Sequence, residues 1–318
     1  MNNFVGAEQI NQLLSPIALV DKLQLAFASD ITTPLRQHFD IPNPYAERET
    51  TLLMMPSWQV GEDIGVKLVT IVPDSYRYDL PSIQGVYVLI DAVKGSVKSI
   101  MDAPALTAKR TAAASALASR FMSRKDARVL TMVGTGTLAP ELIKAHCAVR
   151  PIKQVNIWGR KTEKAEQLKN SLSSVLDVEL NVIEDLSHVV KVADIISCAT
   201  LSQMPLIKGA WLQAGQHLDL VGAYRPDMRE ADDDCILKSR IVVDNYQGAC
   251  KETGDIRMPL DAGILQREKI VADLFELCRK ERVFTRNRQD ITLFKSVGHA
   301  LEDLAAAQLV IESINNQI

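Results

Sequence analysis

The alternation of apolar and polar positions divides the chain into two stretches with different rhythms. Residues 7–29 carry helical spacing, interrupted and restarted at Ser15-Pro16, where serine can cap and proline can fill the first turn. β-like runs follow at 50–55, 65–72, 85–92 and 96–101, separated by turn signals such as Pro73-Asp74-Ser75 and Lys94-Gly95-Ser96. Strands that meet without helices between them predict an antiparallel or mixed sheet. Few helices are at hand to cover both faces of that sheet, and an uncovered apolar face calls for a partner. From Pro104 the pattern becomes a long alanine-rich helix, PALTAKRTAAASALASRFMSR, whose inner Lys109 and Arg110 sit among small neighbours.

Beyond Asp126 the rhythm changes. Apolar, β-branched runs at 128–133, 154–158, 178–183, 194–199, 216–221 and 240–244 alternate with helical or loop segments. Parallel neighbours need crossover connections, so this alternation predicts βαβ units and a parallel sheet. The predicted fold class is α/β: a Rossmann-type doubly wound parallel sheet plus a second α/β domain with a mixed sheet. The expected boundaries are 1–115 with 299–318 for the second domain, and 116–298 for the Rossmann domain.

Composition narrows the function classes. The chain has 318 residues, 47% hydrophobic and 24% charged, with a formal net charge of −3. Lys+Arg 36 against Asp+Glu 39 leaves no basic excess for phosphates, so no nucleic-acid partner is expected. No apolar run approaches the ~18–20 residues of a membrane span. The start, MNNFVGAEQINQ, has neither the basic nor the apolar region of a signal peptide, so a cytoplasmic protein is expected. The five cysteines and five histidines are scattered, which supports neither a disulfide framework nor a metal site.

The clearest chemistry lies in VLTMVGTGTLAPELIKA. Gly134, Gly136 and Ala139 form G-x-G-x-x-A between a predicted strand and a predicted helix, with Thr135, Thr137 and Leu138 filling the loop. The first glycine makes the tight turn and the second admits a pyrophosphate, while the small third residue allows close helix–strand packing. About 20 residues further on, an NAD site usually places an acid against the ribose 2′-hydroxyl. Here the strand end reads Gly159, Arg160, Lys161, Thr162. Two cations and a hydroxyl suit a 2′-phosphate, so NADP(H) is preferred, with NAD(H) as the alternative.

The chain resembles the ornithine cyclodeaminase/mu-crystallin family through RETTLLMMP, GVKLVTIVPDS, MDAPALTAKRTAAASALASRF, MVGTGTLAPELI, IWGRKTEKAE, ADIISCATLSQMPLI, VGAYRPDMREADD and LFKSVGHALEDLAAAQL. The resemblance implies a Rossmann domain, a second domain built from both chain ends, and a homodimer formed through the outer sheet. It implies that Arg48 holds a substrate carboxylate and that Lys67 is the active-site lysine. Arg110 would lie between substrate and cofactor pyrophosphate. Ser82, Cys198, Thr200, Ser296 and Gly298 would line the cofactor, and Val297 the substrate. By its own context Lys67 reads as a strand lysine facing solvent, and Cys198 as a small packed residue. A lysine beside other cations should have a lowered pKa.

One departure from the family pattern bears on the activity. Cyclodeaminase-like members carry an aspartate in a G-x-D-x-P-G-K-x-E context, whereas this chain reads V-G-A-Y-R-P-D-M-R-E. Tyr224 takes the aspartate position, where it is expected to contact the substrate by a hydrogen bond or by lining its pocket, and Asp227 and Met228 replace the Gly-Lys pair; Asp227 is expected to brace its loop. The segment is similar to the ketimine reductase and mu-crystallin branch. The reading is NAD(P)H-dependent reduction of a cyclic imino acid, Δ1-pyrroline-2-carboxylate to L-proline, with Δ1-piperideine-2-carboxylate to L-pipecolate as companion. The alternatives are ornithine cyclodeaminase and a mu-crystallin-like NADP-dependent ligand-binding protein.

Overall fold

A computed structural model describes residues 4–46 and 48–317. Contacts divide the chain into two units: residues up to Arg110 with those from His299 onward, and Thr111–Gly298. The boundary falls inside the alanine-rich helix, between Arg110 and Thr111.

Among the described residues of the first unit, strands β1 (Phe4–Val5), β2 (Ile31–Thr32), β3 (Gln37–Ile41), β4 (Thr50–Gln59), β5 (Asp63–Ile71), β6 (Ile83–Asp91) and β7 (Val97–Asp102) form one sheet. Its order is β1-β7-β6-β5-β4-β2, with β3 paired to β4. The pairings are antiparallel except β1 with β7, so the sheet is mixed. Helices α1 (Ala7–Leu13) and α2 (Pro16–Ala28) meet where the Ser15 hydroxyl accepts from Ala18 N–H and Pro16 opens the second helix. The long helix α3 (Ala103–Met122) follows β7 directly.

Period-two alternation sorts this sheet into two faces. Ser57, Lys67, Tyr87 and Met101 are buried, and helix α11 (Ala300–Asn315) packs against β4, β5 and β6. On the opposite face Met54, Pro56 and Trp58 stand across from Leu68, Val66 and Ile64, which stand across from Val86, Val88 and Ile90. All nine are half-buried.

The second unit holds β8 (Val129–Val133), β9 (Gln154–Trp158), β10 (Glu179–Val182), β11 (Ile195–Cys198), β12 (His217–Leu220), β13 (Ser239–Val243), β14 (Ile270–Asp273) and β15 (Ile291–Lys295). They run in the order β10-β9-β8-β11-β12-β15-β13-β14, every pairing parallel. The connections carry α4 (Ala139–Val149), α5 (Thr162–Leu172), α6 (Leu186–Val192), α7 (Asp233–Lys238), α8 (Tyr246–Glu252), α9 (Gly254–Asp261) and α10 (Leu274–Cys278). Continuous apolar strands such as VLTMV are buried nearly throughout, as a parallel sheet covered on both faces requires. The order reverses between β8 and β11, which marks the crevice where such folds bind ligands.

The predicted strands are present with ends shifted by a residue or two, except that β4 runs on from its predicted end at 55 to Gln59. Five others were not anticipated. The two-residue β1 and β2 are too short to carry a period, and β3 is exposed along its whole length and owes its state to pairing with β4. β14 and β15 are runs of only four and five residues, and β15 inserts between β12 and β13 out of chain order.

Candidate active-site residues

In the first unit, β5, α3 and α11 bring a buried charge cluster together. Lys67 alternates onto the helix-facing side of β5 and is 4% exposed. Its Nζ donates to Asp303 Oδ2 at 2.7 Å and to Thr107 Oγ1 at 3.4 Å. Arg110 donates through Nε to Asp303 Oδ1 at 3.1 Å and through a terminal nitrogen to Glu302 Oε2 at 2.6 Å. Burial lowers the Lys67 ammonium to about 8, Arg110 and Arg36 push the same way, and Asp303 opposes them. Desolvation is thus the first cause, ahead of the neighbouring cations invoked from sequence. Lys67 is not the solvent-facing lysine its context alone suggested. The same carboxylates hold the Arg110 guanidinium above its ordinary range despite burial.

The surroundings reinforce this environment. The half-buried His299 contacts Thr33 Oγ1 through Nε2 at 3.2 Å, and burial lowers its imidazole to about 4, so it is neutral near pH 7. Tyr87 is fully buried, and burial together with Asp303 raises its phenol well above the usual range. Arg48 is exposed in the bend before β4, and Ser82 is exposed just before β6, where its carbonyl accepts from Val72 N–H.

In the second unit the glycine loop leaves β8. Gly134 has φ +118°, and a Cβ there would stand 2.5 Å from the Ala199 carbonyl oxygen, so only glycine fits. A Cβ at Gly136 would meet nothing within 4 Å, which leaves its backbone open to an approaching group. Thr135 and Leu138 are half-buried and Thr137 is exposed; no side chain caps the start of α4. An open glycine turn with an uncapped helix start fits a dinucleotide pyrophosphate. Arg160 and Lys161 are exposed immediately beyond β9, and Thr162 opens α5. Cys198 is 1% exposed with its thiol pushed well up by burial, consistent with a packed residue.

Three buried carboxylates brace the loops that follow the strands. Glu230 accepts from Thr200 N–H at 2.7 Å and Thr200 Oγ1 at 2.8 Å through one oxygen, and from Gly222 N–H at 2.7 Å through the other. Burial pushes its carboxyl up to about 7, against the pull of Lys295. Asp255 accepts from Glu230 N–H at 2.8 Å and pairs with the fully buried Lys295 at 3.1 Å. Asp244 accepts from Val297 and Gly298 N–H, each at 2.7 Å, and from Ser296 Oγ at 3.4 Å. Tyr224 is exposed, and Asp227 is engaged by Arg225 at 2.9 Å and Gln203 at 3.1 Å, which braces its loop.

Sequence reasoning missed Glu302, Asp303, Glu230, Asp255, Asp244 and Lys295. A signal was present for some. In ALEDLAAAQ two acids stand inside an otherwise apolar helical stretch, and in ITLFKSVG a lysine ends a buried run. Charges in such settings require partners. Among the described residues, no group of three or more His, Cys, Asp or Glu could hold a metal ion. No helix among them is long and apolar enough to cross a membrane.

The sequence profile of the ornithine cyclodeaminase/mu-crystallin family matches residues 2–317. The chain is 36% identical to Delta(1)-pyrroline-2-carboxylate reductase of Colwellia psychrerythraea, over 98% of this chain and 98% of the relative. It is 38% identical to Protein SAR DEFICIENT 4 of Arabidopsis thaliana, over 98% of this chain and 97% of that protein. The solved structure of Thermococcus litoralis Delta(1)-pyrroline-2-carboxylate reductase in complex with NADH and L-proline matches with a TM-score of 0.91 and 29% identity. That match covers 99% of this chain and 98% of the other.

Proposed function

Because the chain belongs to the ornithine cyclodeaminase/mu-crystallin family, we propose that it reduces cyclic ketimines bearing a 2-carboxylate, Δ1-pyrroline-2-carboxylate to L-proline foremost. The observation that carries this reading is the buried Lys67, its ammonium lowered to about 8 beside Arg110. An acid with a pKa near the working pH is suited to deliver a proton during the reaction. Arg48 and Arg110 supply the cations that a substrate carboxylate needs.

A bound nicotinamide would supply the hydride for the imine carbon. The residues of this chain do the rest. Lys67 gives a proton to the imine nitrogen, the C=N bond becomes CH–NH, and the neutral amine of Lys67 then recovers a proton from water. Gly134, Gly136 and the start of α4 would hold the pyrophosphate, with Thr200, Ser296 and Gly298 along the strand ends. The exposed Arg160 and Lys161 favour a 2′-phosphate and hence NADPH over NADH. The apolar sheet face around Val66 and Val88 favours a two-fold homodimer. Five free cysteines favour a reducing, cytoplasmic compartment.

Tyr224 argues against deamination, since no carboxylate occupies the position where a cyclodeaminase uses one. Purified protein should oxidise NADPH when given Δ1-pyrroline-2-carboxylate and release no ammonia from ornithine. Conversion of ornithine to proline and ammonia without net cofactor consumption would replace this reading with the cyclodeaminase one. Tight cofactor binding with neither turnover would leave only a ligand-binding role.

A further inference from the structure

Asp303 divides its carboxylate between two cations, one oxygen toward Lys67 and the other toward Arg110. The Asp303 side chain is wholly buried, and those of Lys67 and Arg110 are 5% and 6% exposed. Two like charges in so dry a place repel, and a buried lysine without a counter-charge becomes neutral. A neutral amine has no proton to give. Lys67 also has three N–H bonds to commit. One goes to Asp303 and a longer one to Thr107, which leaves the third for a substrate atom.

We infer that Asp303 is a positioning residue of the reductase site, aiming Lys67 Nζ and keeping it charged while locking it in register with Arg110. The inference rests on the reading of Lys67 as proton donor. Asp303 touches no reacting atom; it acts through the lysine. Glu302, its neighbour on α11, serves Arg110 instead.

The charged and titratable groups facing Lys67 make the pH consequence specific. Asp303 approaches from α11, Arg110 from α3, and Arg36 from the segment between β2 and β3. His299 and Tyr87 sit close to Asp303 but stay neutral near pH 7, the imidazole lowered by burial and the phenol raised by it. Lys67 must be protonated to act, so activity falls as pH rises through about 8. Removing the Asp303 charge removes the strongest influence that holds the lysine up, so this fall should move to lower pH.

Asp303→Asn and Glu302→Gln separate the two roles, using the full-length protein. Asp303→Asn should lower kcat by roughly 100-fold or more, with a smaller change in the Michaelis constant for the imine. Its alkaline limb should shift down by at least about one pH unit. Glu302→Gln should leave the limb near its wild-type position. Ionisation of the substrate is common to all three proteins, so the difference reports the enzyme. A folded Asp303→Asn protein whose limb stays in place overturns the inference.

Should Asp303→Asn fail to fold, the 15N resonance of Lys67 Nζ in wild-type protein decides. Titration near pH 8 that coincides with the kinetic limb supports the pairing, and an amine already neutral at about pH 6 overturns it. If wild-type protein does not reduce the imine, the functional reading fails, and the nitrogen titration still tests the Lys67–Asp303 pair.

Discussion

A single lysine shows how far a side chain's role depends on what folds onto it. The segment GVKLV gives no hint that Lys67 is buried; the resemblance supplied its importance, and the structure supplied Asp303 and Thr107. Two substitutions separate proton delivery from carboxylate recognition. Lys67→Ala should reduce kcat by about 100-fold or more, whereas Arg48→Ala, at an exposed position, should chiefly raise the Michaelis constant for the imine. Steady-state kinetics at saturating cofactor distinguishes them, and equal effects on both constants in both variants would void the assignment. A third test concerns packing beside the lysine. A Cβ at Gly65 would lie 1.7 Å from the Tyr87 hydroxyl, with both residues fully enclosed between sheet and helix. Gly65→Ala should therefore destabilise the fold by at least about 1–3 kcal/mol, read as a lower urea midpoint.

Elements were more legible than their partnerships. The alanine-rich α3, the serine-proline restart at α2 and the strand–glycine–helix of the phosphate loop are local signals, each carried within one contiguous stretch of chain. The insertion of β15 between β12 and β13, and the loops tied by Glu230 and Asp255, are long-range pairings that no local period encodes. These braces have measurable consequences. Glu230→Gln replaces one acceptor by a donor facing Thr200 or Gly222 N–H, stranding a buried amide at about 1–3 kcal/mol. The variant should unfold earlier and bind NADPH more weakly; titration of cofactor fluorescence that matches wild type would count against the brace. At β9, Arg160→Ala should weaken NADPH roughly tenfold more than NADH. Equal losses for the two cofactors would remove the case for phosphate recognition.

At the scale of the whole molecule, the α/β class and the parallel sheet followed from alternating strands and helices, while the outer-sheet partner rests on an apolar face. Replacing Val66 or Val88 by aspartate should give a smaller species in sedimentation if that face joins two copies. An unchanged sedimentation coefficient in a folded variant would point elsewhere. The chain order of the first unit sets when its parts can meet during synthesis. Its sheet is complete in sequence by Asp102, yet α11, which covers the buried face, comes only after the whole of Thr111–Gly298. Lys67 and Asp303 are 236 positions apart. At a synthesis rate of ~5–20 residues per second, the strand lysine waits roughly 10–50 s for its carboxylate. A nascent chain thus carries a sheet whose inner face is not yet covered by α11, and the glycine-loop unit too stays open until β15 enters between β12 and β13, shortly before α11 is made. Released chains truncated after Gly298 should accordingly expose the sheet to protease and chaperone while the inserted unit, complete through β15, resists, so the enzyme's order of assembly is written into where its helix lies in the sequence.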